Sequence, residues 1–222
     1  MLSDSQVSAV ESMAWFHVDY SPTLLLDTHL RIRAVNKAYE TVTGHPRAQL
    51  VGAALFDVFP ENSADPQDDG AATISSSIET VLRRRVRHVV GVQRYDLPDP
   101  TRPGSFQYRV WTPVNSPLVD DGATVGVVHR AQDVTTAFPP VPANGAEAPH
   151  QSAALDELAR ILGRSFPELP YAEILGIVAE SYCVVARSLG RPDAGRTAEL
   201  AALRAEIRVG QQSTAPIRLL GS

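Results

Sequence analysis

The chain has 222 residues, 44% hydrophobic and 20% charged, enough apolar material for at least one ordinary core and too much for a disordered tail. Its 20 Lys and Arg against 25 Asp and Glu leave a formal net charge of -5, which argues against broad attraction to nucleic acid or an anionic membrane and leaves room only for a local basic patch. The single cysteine closes no intrachain disulfide, no apolar run approaches the ~18 residues of a membrane span, and no basic, signal-like leader opens the chain, so a cytoplasmic protein is expected.

In chain order, Ser5 to His17 predicts a helix with Val7, Val10, Met13, Ala14 and Phe16 toward one side. Thr23 to Leu26 and Ile32 to Val35 read as a hairpin around the turn-forming Asp27, Thr28 and His29. Asn36 is placed to cap a helix over Lys37 to Thr43, ended by Gly44, His45 and Pro46. A short helix over Pro46 to Val51 follows, then an apolar loop holding Leu55, Phe56, Val58 and Phe59. From about Gly70 to Arg85 a longer helix turns Ile74, Ile78, Val81 and Leu82 inward. Three strands are predicted next, over Val89 to Tyr95, Phe106 to Thr112 and Thr124 to Ala131. Two strands, several helices and three strands fit one antiparallel sheet with helices laid over a face.

Pro139, Pro140, Pro142, Gly145 and Pro149 then interrupt every period, so residues 137–151 are read as a proline-rich linker. Beyond it the pattern is helical. Leu155, Leu158, Ala159 and Leu162 form one stripe, Ile174, Ile177, Val178, Val184, Val185 and Leu189 a second, and Leu200, Leu203 and Ile207 a third. Three such helices make a small core, so residues 152–209 are expected to self-associate or dock on the first part, with 210–222 as a flexible tail.

Several segments together carry a family likeness: LLLDTHLRIRAVNKAYETVTG at Leu24 to Gly44, LVGAALFDVFPEN at Leu50 to Asn62, VQRYDLP at Val92 to Pro98, YRVWTPVNSPLVDDG at Tyr108 to Gly122 and GVVHRAQDVT at Gly126 to Thr135. Residues 18–136 resemble a PAS sensor domain, preceded by a flanking helix in residues 1–17. The resemblance implies an α+β fold, a five-stranded antiparallel sheet with flanking helices around a small-ligand cavity, followed by a small helical module. It also implies that Asp133, Val134 and Thr135 couple the last strand to an effector. The stretch LARILGRSFPELPYAEILGIVAESY, Leu158 to Tyr182, resembles three-helix dimerisation modules of bacterial regulatory proteins and, more distantly, three-helix RNA-binding output modules.

Seven residues are candidates for the ligand site. Gln93 and Arg109 offer polar contacts, Tyr95 and Trp111 broad aromatic area with one polar handle each, Phe56 and Phe59 a pocket wall, and His129 a lone imidazole in strand parity with Val127. Each has an ordinary alternative in core packing or sheet-surface exposure. Which strand face lines the cavity stays open at this point.

The histidines have no zinc-like spacing, and the acidic run of Asp57, Glu61, Asp65, Asp68 and Asp69 lacks the ligand order of a calcium loop. No metal site is expected. No nucleophile, base and carboxylate order accompanies Ser75, Ser76 and Ser77, and no phosphate-binding glycine loop opens a helix, so no catalytic residue is assigned. Light-sensing PAS relatives carry a reactive cysteine in the sensor domain, whereas Cys183 lies in the second part, and no specific motif supports haem or flavin. The cofactor is left unknown, with a small apolar or aromatic ligand favoured. The expectation is a non-enzymatic sensor acting as a homodimer or on a regulatory protein partner. A ligand-free dimeric adaptor is the second reading, and an RNA-binding regulator using Arg160, Arg164 and Arg187 the third.

Overall fold

The computed structural model describes residues 2–17, 21–63, 70–138, 151–165, 174, 177–178 and 217–219, with backbone only at 151–155, 165 and 218. The predicted hairpin is present as β1 (Thr23–Asp27) and β2 (Ile32–Val35). Asp27 shapes its turn by accepting the backbone N–H groups of His29 and Arg31 on one carboxylate oxygen. The Asn36 side chain accepts from the N–H of Tyr39 and of Thr23, so one residue both caps α2 (Lys37–Thr43) and fastens it to β1. Gly44, at φ 72, ends that helix in the left-handed region.

Next come α3 (Arg47–Leu50), α4 (Leu55–Val58) and α5 (Gly70–Arg84). The segment expected to be an apolar loop therefore contains a helical turn, closed by the Phe59 N–H on the Leu55 carbonyl, which sends both buried side chains to the same core. On α5 the predicted stripe is confirmed: Ile74, Ile78 and Val81 are buried, and Ser77 lies among them.

The remaining strands are β3 (His88–Val89), β4 (Gln93–Arg94), β5 (Leu97–Pro98), β6 (Phe106–Gln107), β7 (Val110–Asp120) and β8 (Ala123–Asp133). The main sheet runs β2-β1-β8-β7-β3, every neighbouring pair antiparallel, with β4 also on β7. Two strand predictions need correction. The strand expected over Val89 to Tyr95 is split, because Val89 pairs with Val114 but Gln93 pairs with Trp111, a slip of one residue across Gly91 and Val92. Val89 and Val92 consequently face one side while Gln93 and Tyr95 face the other. The strand expected over Phe106 to Thr112 is likewise broken: Phe106 and Gln107 pair with Pro98 and Leu97 in a separate two-stranded sheet, and β7 starts at Val110 and continues to Asp120 through Pro113 and Pro117.

Both faces of this sheet are covered. On the inner face Leu24, Leu26, Val127, Ala131 and Trp111 pack with Tyr39, Leu50, Phe59, Ile74, Ile78 and Val81 from the intervening helices. On the outer face, α1 (Asp4–Glu11), started by a Ser3 and Gln6 capping box, and a 3-10 turn over Ala14–His17 place Val7, Val10 and Phe16 against Leu25, Ala34, Leu118 and Val128. Beside them, α6 (Gln151–Ser165) lays Leu158 and Leu162 on Val92, Val110, Val114 and Val134, with Ile174 and Ile177 in the same cluster. Within the segment expected to be a tail, β9 (Ile217–Arg218) pairs in parallel with Leu118 and Val119 of β7. The other two helices predicted after the linker lie, apart from residues 174 and 177–178, outside the described residues. No helix among the described residues is long and apolar enough to cross a membrane.

Candidate functional site

Between the sheet and α2, α4 and α5 lies a cavity of about 40 Å³ lined by Tyr39, Thr43, Leu55, Phe56, Phe59, Ile74, Gln93, Tyr95, Leu97, Trp111, Pro113, His129 and Ala131. Sheet alternation supplies one wall: Trp111 and Pro113 of β7, His129 and Ala131 of β8 and Gln93 of β4 all point inward. Six of the seven residues singled out from sequence, Phe56, Phe59, Gln93, Tyr95, Trp111 and His129, line this space. Arg109 is elsewhere. Its guanidinium pairs with Asp133 at 3.0 Å and with the Gln107 side-chain oxygen at 3.1 Å, outside the cavity wall.

Most polar groups of the wall are already engaged. The Trp111 indole N–H donates to the Tyr95 carbonyl at 2.8 Å, the Tyr95 hydroxyl donates to the Phe59 carbonyl, and the Thr43 hydroxyl donates to the Tyr39 carbonyl at 2.8 Å. The first two bonds join β7, the residue after β4 and the end of α4 into one aromatic cage, and the third stays within α2. Burial above all, and secondarily Tyr95, pushes the Tyr39 phenol up, so it stays neutral.

A buried polar chain runs from the cavity into α5. His129 Nδ1 lies 2.7 Å from the Asn115 side-chain oxygen, the Asn115 amide nitrogen donates to the Ser77 hydroxyl at 2.8 Å, and that hydroxyl lies 2.8 Å from His88 Nδ1. Asn115 is fully buried, Ser77 and His129 nearly so. Burial pushes His129 down to about 4, so the ring is neutral near pH 7. Since Asn115 turns its NH2 toward Ser77, its oxygen receives the Nδ1 hydrogen of His129.

Sequence reasoning missed this chain and several wall residues: Tyr39, Thr43, Leu55, Ile74, Leu97, Pro113 and Ala131. The signal for Asn115 was there, two and four residues beyond Pro113 and Trp111 on the same strand face, but only once the strand is extended past Pro113. Ser77 was likewise readable at the i+3 position from Ile74 on the inward stripe.

At the outer rim, Asp96 gathers what the cavity does not hold. Its carboxylate pairs with Arg94 at 2.6 Å and accepts from the Asn62 amide at 3.0 Å and the Arg109 backbone N–H at 3.3 Å. The loop after α4 is thus joined to β4 and to the segment entering β7. Among the described residues no group of His, Cys, Asp and Glu is arranged to hold a metal ion.

A largely antiparallel main sheet, helices over both its faces and an aromatic cage under one of them define an α+β module with an inner cavity. The chain belongs to the PAS fold family, whose sequence profile matches residues 16–137. Among solved structures it is similar to a PAS domain from Colwellia psychrerythraea, at 15% identity over 59% of this chain and 98% of that one, with a TM-score of 0.43. It is also similar to the Rhodobacter sphaeroides LOV protein, at 15% identity over 86% of this chain and 99% of that one, with a TM-score of 0.49. No curated protein matches the chain.

Proposed function

We propose that this protein is a non-enzymatic sensor that takes a small molecule into the inner cavity and transmits its occupancy to the segments packed on the outer face. The transmission alters homodimerisation or the binding of a regulatory protein partner. One observation carries the reading: β7 and β8 wall the cavity with Trp111 and His129 while holding α6 and the N-terminal segment through Val110, Val114 and Val128 on the opposite face. A ligand that displaces either strand acts on both layers. It switches the protein only through a difference in affinity between the two arrangements.

At about 40 Å³ the cavity suits a few waters or a small ligand. A flavin or haem does not fit this arrangement of the walls. The resemblance of Leu158 to Tyr182 to three-helix dimerisation modules supports an output role for residues 152–209, with 137–151 as spacer.

Native mass spectrometry of unstripped protein, joined to hydrogen exchange with and without added ligand, tests this. Retained or added small molecule together with changed protection in α6 is the expected result. Saturation of the cavity with no change in α6 exchange, oligomeric state or partner affinity overturns it and leaves a static adaptor.

A further inference from the structure

The cavity wall is neutral throughout and carries few uncommitted polar atoms. His129 gives its Nδ1 hydrogen to Asn115, and its second ring nitrogen, Nε2, has no protein partner among the described residues. It is left with a bare lone pair on a residue that lines the cavity. Gln93 lines the same cavity, and its side-chain oxygen is buried without a donor. Two acceptors, the NH2 of the same Gln93 amide, no charge and one hydroxyl able to turn either way, that of Tyr39, make up the uncommitted polar inventory. A ligand that displaces solvent from these acceptors without donating to them leaves them unpaired, so the ligand that fits is one that brings a hydrogen.

Building on the sensor reading, we propose that the cavity selects a small neutral hydrogen-bond donor, a short alcohol or primary amide, received by the Nε2 lone pair of His129. Gln93 provides a second acceptor on the cavity wall. The apolar remainder of the ligand lies against Leu55, Ile74, Leu97 and Trp111. The selectivity is set from outside the cavity, because Ser77 on α5 holds the Asn115 amide in the orientation that makes His129 an acceptor. Asn115 and Ser77 are positioning residues here, and neither lines the cavity.

Two near-isosteric probes separate this from generic apolar binding: 2-propanol, which donates, and acetone, which does not. In the ¹⁵N-labelled 222-residue chain the His129 ring should show a protonated Nδ1 and a bare Nε2. Titration with 2-propanol should move the Nε2 resonance upfield and shift the Trp111 and Ala131 amides at about tenfold lower concentration than acetone, the factor expected for one buried hydrogen bond. Gln93→Met, close in size and lacking the acceptor, should narrow that preference without unfolding the protein. Equal response to both probes, or a His129 ring protonated at Nε2, overturns the donor selectivity while the sensor reading stands. If neither probe moves any cavity resonance, both readings fall.

Discussion

Gly126 lies where β8 runs so close to β1 that a Cβ built on it stands 2.5 Å from the Leu26 carbonyl oxygen, a backbone atom that cannot swing away. Gly126→Ala must therefore prise the two strands apart, and a loss of about 1–3 kcal/mol is expected from the urea midpoint. An unchanged midpoint would show that the β1 and β8 ladder is looser than drawn. His129 makes a second residue-scale prediction. Its folded value of about 4 lies below the usual 6.5, so between these values the unfolded chain takes up a proton that the folded chain refuses. Stability from this group is fully present above pH 6.5, falls as pH drops toward about 4 and levels off below, a loss of about 3 kcal/mol. His129→Gln should flatten that part of the pH profile, with carboxylate titration common to both proteins; parallel profiles would mean the ring is hydrated. The inward residues Trp111, Gln93, Tyr95 and His129 were legible because aromatic and polar side chains on apolar strands stand out. Arg109 stood out for the same reason yet serves a rim ion pair with Asp133, since strand parity does not tell a guanidinium whether a carboxylate waits outside.

Among the elements, the hairpin, the Asn36 cap and the α5 stripe were readable because local chemistry alone dictates them: a turn-forming Asp27, a side-chain oxygen at the N-cap, apolar residues at helical spacing. Proline seldom occupies a central strand, yet β7 runs through both Pro113 and Pro117. The structure shows how it is tolerated. Ala131, opposite Pro113, sends its N–H to Pro22 on the β1 side, so the pair lies outside the β7 and β8 hydrogen bonds and both prolines turn their nitrogens away from β8. There Pro113 still accepts from Val90 at the break between β3 and β4, and Pro117 falls between β3 and β9. The outer-face clusters were invisible for another reason: an alternating strand reports that one side is apolar, and β7 and β8 are apolar on both. That second layer predicts a strong effect at α6. Leu158 is fully buried between Val110, Val114 and Val134, so Leu158→Ala should cost about 2–5 kcal/mol in denaturant unfolding and speed amide exchange along α6. Unchanged exchange in α6 would detach it from the cooperative unit.

At the scale of the whole molecule the question is whether the two layers sense each other through the sheet. Val110 and Trp111 are consecutive on β7 and belong to opposite faces, one packed with α6, the other closing the cavity and bonded to the Tyr95 carbonyl. A strand of this kind has little freedom to move one face alone, because its ladder to β8 runs from Trp111 to Asp120 and close-packed interiors do not absorb shifts locally. Trp111→Phe removes the indole bond and loosens the cavity wall; Leu158→Ala loosens the outer layer. If the strand couples them, the double variant departs from the sum of the single losses by about 0.5–3 kcal/mol, whereas independent faces add within about 0.3–0.5 kcal/mol. The cycle can be run on ligand-free protein, so it measures the transmission step apart from whatever fills the cavity. Strict additivity would leave the inner site intact as a binding pocket and deprive the sheet of any part in carrying its state to α6.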